Sequence, residues 1–290
     1  MRPWDGIISD EEQRAYHAAG FGRPSGLGTR PALLIIDVQY RTVGTAPLPF
    51  WEAIKEFSTS CGEVGWKAVG NIEPLLALFR QKSWPVLYPH VARKVATDGG
   101  RLAEKVPAIM NIADRGYDFV AELAPEAGDV LLPKKHPSAF FGTPLVSHLV
   151  DLGADMLVVT GCTTSGCVRG TVVDAFAYNF RVLVPQECVY DRSATSHAVN
   201  LFDMLTNRAY LQTASYVARC QRLTPHSRFI SGAPFFHCSG TMHAITVCLV
   251  AGCTLDAMSA WDPERFIDTV ERERCDASHM VLPPTAMPSI

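Results

Sequence analysis

Short apolar runs alternate with segments of helical periodicity along residues 31–185 of this 290-residue chain. The run PALLIIDV at 31–38 is apolar up to Asp37, a pattern typical of a parallel strand buried on both faces. Further strands are predicted over 85–88, 128–133, 156–160 and 181–185, with helices over 69–81, 144–152 and 166–179. Because parallel strands are joined by helical crossovers, the alternation predicts an α/β fold in three layers, a parallel sheet with helices on both faces.

Three residues with useful chemistry follow strands of this predicted sheet. Asp37 ends the first apolar run, Lys134 follows LLP, and Cys167 lies where a helix is expected to begin after MLVVT. Each alone has a structural explanation, as a loop anchor, a solvated lysine or a small buried side chain. Ligands bind at the carboxyl ends of parallel strands, so the three together indicate a site. A lysine and a helix N-terminus favour a thiolate, and an aspartate can transfer its proton.

Composition excludes several other classes of protein. The formal net charge is −3 without a basic run, which argues against nucleic-acid binding. The polar, acidic N-terminal residues lead us to expect no signal peptide, and the apolar run at 245–251 is too short to cross a bilayer. The nine cysteines have irregular spacing, which is typical of reduced thiols in a cytoplasmic protein. His90 stands without a second histidine at ligand spacing, so neither a metal nor another cofactor is expected.

The segments IIDVQY, LPKKHPSAFFGT and VVTGCTTSGCVRGTVVDAF resemble the isochorismatase-like cysteine hydrolases, and among them the N-carbamoylsarcosine and maleamate amidase subgroup. The likeness extends from about residue 3 to 204. It implies a catalytic triad of Asp37, Lys134 and Cys167, with Lys135 as the alternative lysine. It also implies a cis peptide bond before Thr163, and an oxyanion hole formed by the N–H groups of Thr163 and Cys167.

The same resemblance implies a substrate and an assembly. Arg192, in VYDRS, would hold a substrate carboxylate, although a surface arginine paired with Asp191 is the alternative interpretation. The expected reaction is hydrolysis of a small carboxylate-bearing amide or N-carbamoyl compound through a cysteine thioester. Relatives of this architecture form homotetramers, so we expect a homo-oligomer unless the C-terminal segment blocks it.

The likeness changes near residue 204, which gives the expected organisation of the chain. Residues 1–30 are expected to be an N-terminal arm and loop, and 31–204 the hydrolase domain. Residues 205–290 resemble part of an adenylate-forming acyl-CoA ligase and are expected to form a small α/β fragment. This fragment includes His237, predicted helices over 240–251 and 263–274, and strands over 229–236 and near the end.

The ligase-like fragment has neither the phosphate loop nor the lid of those ligases, so we expect no adenylation. Ending the hydrolase at 204 would leave the preceding strand with an open edge, or paired with residues of the fragment. A ligase remnant and an inactive fusion or interaction protein therefore remain as alternative functions.

Overall fold

In a computed structural model of the chain, the described residues are 2–22, 26–207, 210–211, 224, 226–231, 248, 253–258, 262–275 and 277–278. The chain divides into two compact units, Met1–Leu211 and Gln212–Ile290.

The first unit alternates strands and helices. Its described α-helices are α1 (Asp10–Ala18), α2 (Tyr40–Val43), α3 (Phe50–Glu56), α4 (Glu63–Gln81), α5 (Gly100–Lys105), α6 (Leu145–Asp151), α7 (Arg169–Ala177) and α8 (Ala194–Asn207). Its strands are β1 (Pro31–Ile36), β2 (Val86–Val91), β3 (Val130–Lys134), β4 (Met156–Cys162), β5 (Arg181–Val184), β6 (Val189–Tyr190) and β7 (Tyr210–Leu211). Single 3₁₀ turns cover Ala96–Asp98, Pro107–Met110, Asp114–Tyr117, Ala121–Leu123 and Gln186–Cys188, and a π-helical turn covers Thr164–Val168.

The strands form one parallel sheet in the order β3-β2-β1-β4-β5-β7, with β6 beside the end of β4. In the centre of the sheet, Leu33 lies opposite Val86 on one side and Val158 on the other. Since β1 and β4 are buried along their whole length, their apolar runs have no solvent-facing alternation. The predicted parallel α/β fold is confirmed.

Both faces of the sheet are covered by helices. Leu34 and Ile36 of β1 pack in one buried cluster with Val172 of α7 and Leu201 of α8. Leu33, whose side chain points to the opposite face of the sheet, lies outside this cluster and is also fully buried. Complete burial of each such side chain contributes about 1.5–3 kcal/mol to the free energy of folding. The apolar side chains buried on the two faces of the sheet are therefore the main source of stability of this unit.

The N-terminal arm holds a helix that we did not predict. Ser9 and Glu12 form a capping box at the start of α1, a signal visible in the sequence as S-D-E-E. Trp4 is buried and packs edge-on against Phe202 of α8. The arm is therefore attached to the domain core and is more than a loop.

The edge of β5 is paired. Leu183 and Val184 lie opposite Tyr210 and Leu211, which belong to the segment expected to be ligase-like. Helix α8 runs through the expected join near 204–205 without interruption. Of the two arrangements that we considered for this edge, pairing with the fragment is the one that the structure shows.

The second unit contains a three-stranded parallel sheet in the order β10-β8-β9, formed by β8 (Arg228–Ser231), β9 (Thr254–Ala257) and β10 (Ala277–Ser278). Its helix α9 (Pro263–Glu273) has Asp262 as N-cap. The predicted helix over 263–274 is thus confirmed. Apart from residue 248, the predicted helix over 240–251 lies outside the described residues, as do His237 and the predicted final strand.

Candidate active site

Asp37, Lys134 and Cys167 meet at the carboxyl edge of the sheet. Asp37 follows β1, Lys134 ends β3, and Cys167 lies in the π-helical turn between β4 and α7. Lys134 Nζ lies 2.7 Å from Asp37 Oδ2 and donates to Cys167 Sγ at 3.3 Å. The side chains of Lys134 and Asp37 are only 2% and 3% exposed, so this ion pair is almost dry. The structure therefore brings together the three residues that the sequence selected.

The two adjacent lysines have different surroundings. Lys134 also donates to the carbonyl oxygen of His136 at 3.2 Å, which completes its enclosure. Lys135 forms an ion pair with Asp98, and its side chain is 58% exposed. Because successive side chains point to opposite sides of an extended backbone, only one lysine can face the cysteine. The geometry favours Lys134 over the alternative Lys135.

Burial and two neighbouring charges act on the pKa of the Cys167 thiol in opposite directions. Burial raises the pKa of the Cys167 thiol, and the negative charge of Asp37 raises it further, while Lys134 acts in the opposite direction. Burial lowers the pKa of the Lys134 ammonium, but Asp37 and Cys167 raise it more, and the net shift is upward. These directions favour the neutral thiol at Cys167 and the protonated ammonium at Lys134.

One carboxylate oxygen of Asp37 remains available. Oδ2 accepts from Lys134, whereas Oδ1 is buried without a hydrogen-bond partner in the described part of the chain. A buried oxygen without a donor is rare in proteins. Asp37 can therefore accept a proton at Oδ1 without losing its bond to the lysine.

The loop that carries Cys167 is fixed by close backbone packing. Gly161 has φ +98°, and a Cβ at this position would lie 2.1 Å from the carbonyl oxygen of Ile36. The Cys162–Thr163 peptide bond is cis, as the resemblance implied. The π-helical turn that contains Cys167 continues directly into α7, so Cys167 lies in the first turn of the continuous helix, as the sequence predicted.

Two side chains that we did not predict support this loop. The backbone N–H of Ser165 donates to Asp191 Oδ2 at 2.8 Å. Thr164 Oγ1 lies 2.8 Å from Nδ1 of His197. Both partners are far from the loop in sequence, so no local signal indicates them.

Arg192 forms no described hydrogen bond or ion pair with the three converging residues. It is exposed, and its Nη2 donates to the carbonyl oxygen of Thr59 at 3.0 Å. Asp191 accepts from the backbone N–H of Arg192 at 2.8 Å, and no described ion pair joins their side chains. Arg192 is absent from the lining of the cavity beside Cys167. Its role in holding a substrate carboxylate stays a prediction.

A small cavity of about 90 Å³ opens beside Cys167. Its lining includes apolar residues, among them Ile109 and Pro137, and the cations Arg41 and Lys94. Neither cation was singled out from the sequence, because nothing in IDVQYRT or in VARKV marks a buried charge.

The described residues were also compared with the requirements of metal sites and membrane spans. They contain no cluster of three His, Cys, Asp or Glu side chains suited to a metal ion. Nδ1 of His90 lies 2.9 Å from the carbonyl oxygen of Tyr88. Within the same part of the chain, every helix is too short or too polar to cross a membrane.

Several known proteins are similar to this chain. The model of the isochorismatase domain matches residues 31–215, and that of AMP-binding enzymes matches 204–290. Maleamate amidohydrolase of Pseudomonas putida is 37% identical over 189 residues, which cover 63% of this chain and 83% of that protein. N-carbamoylsarcosine amidase of an Arthrobacter species is 34% identical over 197 residues, covering 65% of this chain and 70% of that protein.

A solved structure shows the same relationship. The isochorismatase family protein of Desulfovibrio vulgaris has 31% sequence identity and a TM-score of 0.51, covering 63% of this chain and 94% of that one. All three converging residues lie within the span that matches the isochorismatase domain. The chain is therefore a hydrolase of the isochorismatase family, followed by a segment similar to AMP-binding enzymes.

Proposed function

We propose that this chain hydrolyses the carbon–nitrogen bond of a small carboxylate-bearing amide or N-carbamoyl compound through a thioester on Cys167. The observation that carries the proposal is the buried contact of Lys134 with both Asp37 and Cys167 at the wall of a small cavity. The names of the two similar amidohydrolases support the class of substrate.

In the first step, the Cys167 thiol transfers its proton to Oδ1 of Asp37 as Sγ attacks the carbonyl carbon. The new S–C bond moves the carbonyl π electrons onto oxygen, and we assign the backbone N–H groups of Thr163 and Cys167 to that oxyanion. Lys134 remains protonated and offsets the negative charge on sulfur while the bond forms.

In the second step, the oxyanion collapses and the C–N bond breaks. The nitrogen leaves as ammonia with the proton held by Asp37, and an acyl or carbamoyl thioester remains on Cys167. Water then loses a proton to Asp37 and attacks the thioester carbon. The S–C bond breaks, the acid product leaves, and the proton returns to sulfur.

The test is ammonia release from maleamate and N-carbamoylsarcosine by the wild type and by Cys167→Ala. Cys188→Ala is the matched control, because Cys188 is buried on a 3₁₀ turn and donates to the carbonyl oxygen of Asn71. We expect activity in the wild type and the control, and none in Cys167→Ala. Acid quenching followed by peptide mass analysis should find the substrate acyl group on Cys167.

Two results would contradict the proposal. Ammonia release by Cys167→Ala at the wild-type rate would exclude the thioester. Activity that depends on Cys167 with neutral amides only would exclude the carboxylate-bearing substrate class. The homo-oligomer expected from the resemblance stays a prediction, and light scattering on the full chain measures it.

A further inference from the structure

The cavity beside Cys167 has more positive than negative charge in its surroundings. Four cationic side chains line it: Arg41, Lys94, Lys134 and Lys135. The last two each form an ion pair with an aspartate. Among the described residues, Arg41 and Lys94 form none. Asp98 pairs with Lys135 and also acts on Lys94, so four cations face two aspartates and the cavity keeps an excess of positive charge.

Arg41 is the more unusual of the two because it is buried. It lies in the short helix α2 and is only 4% exposed. Its Cζ atom lies 5.2 Å from the centre of the Tyr117 ring, which orients the guanidinium group. Its Nη1 is buried and has no hydrogen-bond acceptor within the described residues. A buried charged donor of this kind is unfavourable until an acceptor reaches it.

Lys94 reports the same excess of positive charge. It is partly buried and lines the cavity. Burial lowers the pKa of the Lys94 ammonium, and the positive charge of Arg41 lowers it further, while Asp98 acts in the opposite direction without reversing the shift. An anion bound in the cavity would offset the electrostatic repulsion between these two cations.

We propose that Arg41, assisted by Lys94, binds the carboxylate of the substrate and makes the cavity selective for small anionic amides over neutral ones. The inference rests on the proposed function and specifies its substrate subsite. A guanidinium group can pair with both oxygens of a carboxylate, and an ammonium adds a second charge-assisted hydrogen bond. This subsite assigns to a buried residue at the cavity the role that the sequence suggested for exposed Arg192.

The first test measures binding separately from turnover. Isothermal titration of maleamate into Cys167→Ala is compared with the same titration into the double variant that also carries Arg41→Met. We expect the Kd for maleamate to rise about 10- to 100-fold in the double variant, the range for losing a hydrogen bond to a charged group. Lys94→Met in the same background should raise Kd by a smaller factor.

Arg93→Met is the matched control. Arg93 also stacks on Tyr117, at 5.5 Å, but it is exposed and paired with Asp114, and it is absent from the cavity wall. We expect no change in Kd for this variant. Melting temperatures of all variants separate loss of binding from loss of folding. Arg41→Lys is a further control, because it keeps the positive charge but loses the planar guanidinium group.

The second test compares maleamate with (Z)-but-2-enamide, in which a methyl group replaces the carboxylate. Arg41→Met should lower kcat/KM for maleamate about 10- to 100-fold and leave the neutral amide unaffected, a difference that a purely structural role would not produce. An unchanged Kd for maleamate, or equal losses for both amides, overturns the inference. The inference is also overturned if Arg192→Met loses the selectivity for maleamate over the neutral amide and Arg41→Met keeps it.

The two proposals fail separately. If Cys167 is required for ammonia release but selectivity ignores Arg41, the thioester proposal stands and the subsite is wrong. If maleamate binds through Arg41 and the wild type releases no ammonia, the subsite stands and the hydrolytic proposal is wrong.

Discussion

Replacing Lys134 by Met should both inactivate and destabilise the protein. Lys134 Nζ and Asp37 Oδ2 are 2.7 Å apart, and both side chains are at least nine-tenths buried. With an effective dielectric constant of about 20, the Coulomb attraction at this distance is about 6 kcal/mol. Met has a similar length and no charge, so Asp37 would be left as a buried carboxylate without a counter-ion. Removing one partner of such a pair costs about 3–5 kcal/mol, and we expect a loss of unfolding free energy in this range.

The assay is urea unfolding followed by tryptophan fluorescence on the full chain. Of the five tryptophans, four lie in the first compact unit, so the signal reports mainly on the domain that carries the site. Lys55→Met is the control. Lys55 pairs with Glu52 at a similar distance, 2.8 Å, but is 69% exposed, so its removal should cost less than about 1 kcal/mol.

Removing both charges of the buried pair tests the cause. The double variant Asp37→Asn, Lys134→Met leaves no unpaired charge and should be more stable than Lys134→Met alone. The reasoning is refuted if Lys134→Met costs no more than Lys55→Met, or if the double variant is the least stable of the set.

Two further predictions concern the support of the loop that carries Cys167. Gly161→Ala should destabilise the chain by more than about 2 kcal/mol, because its φ is positive and its Cβ would overlap the carbonyl oxygen of Ile36. Gly70→Ala, on an open face of α4, should instead stabilise by about 0.5–1 kcal/mol; thermal unfolding of both variants checks this, and equal effects would contradict it. Burial lowers the pKa of His197 below 6.5, so below that pH the unfolded state binds more protons and stability falls as pH falls. Urea unfolding between about pH 7.5 and 5.5 should show this fall in stability in the wild type and in the control His17→Gln, since His17 is exposed. The fall should be smaller in His197→Gln. If the free energy of unfolding depends on pH equally in all three proteins, His197 is excluded as the cause.

Much of the fold was predictable because burial on two faces leaves a clear trace in a strand. The runs 31–38 and 156–160 are apolar without alternation, and both became central strands. Helix α4 began six residues before the periodicity that we used, at Glu63 rather than Val69. Local pattern identifies the middle of an element well, whereas its ends depend on tertiary contacts.

The end of the hydrolase domain was harder to predict than its centre. We expected the domain to end at residue 204, but Tyr210 and Leu211 pair with β5 as the edge strand of the first sheet. These two residues lie where the matches to the isochorismatase domain and to AMP-binding enzymes overlap. An open strand edge offers unpaired N–H and C=O groups, and β7 occupies them.

The sequence by itself determined the parallel α/β fold and pointed to Asp37, Cys167 and one of two adjacent lysines, since each follows an apolar run and parallel strands end at one edge. Only the tertiary structure favours Lys134 over Lys135, and only it places Arg41 against the cavity. Strand order and helix packing set the distance between residues far apart in the chain. The burial of a charge depends on those distances, and local sequence contains no record of them.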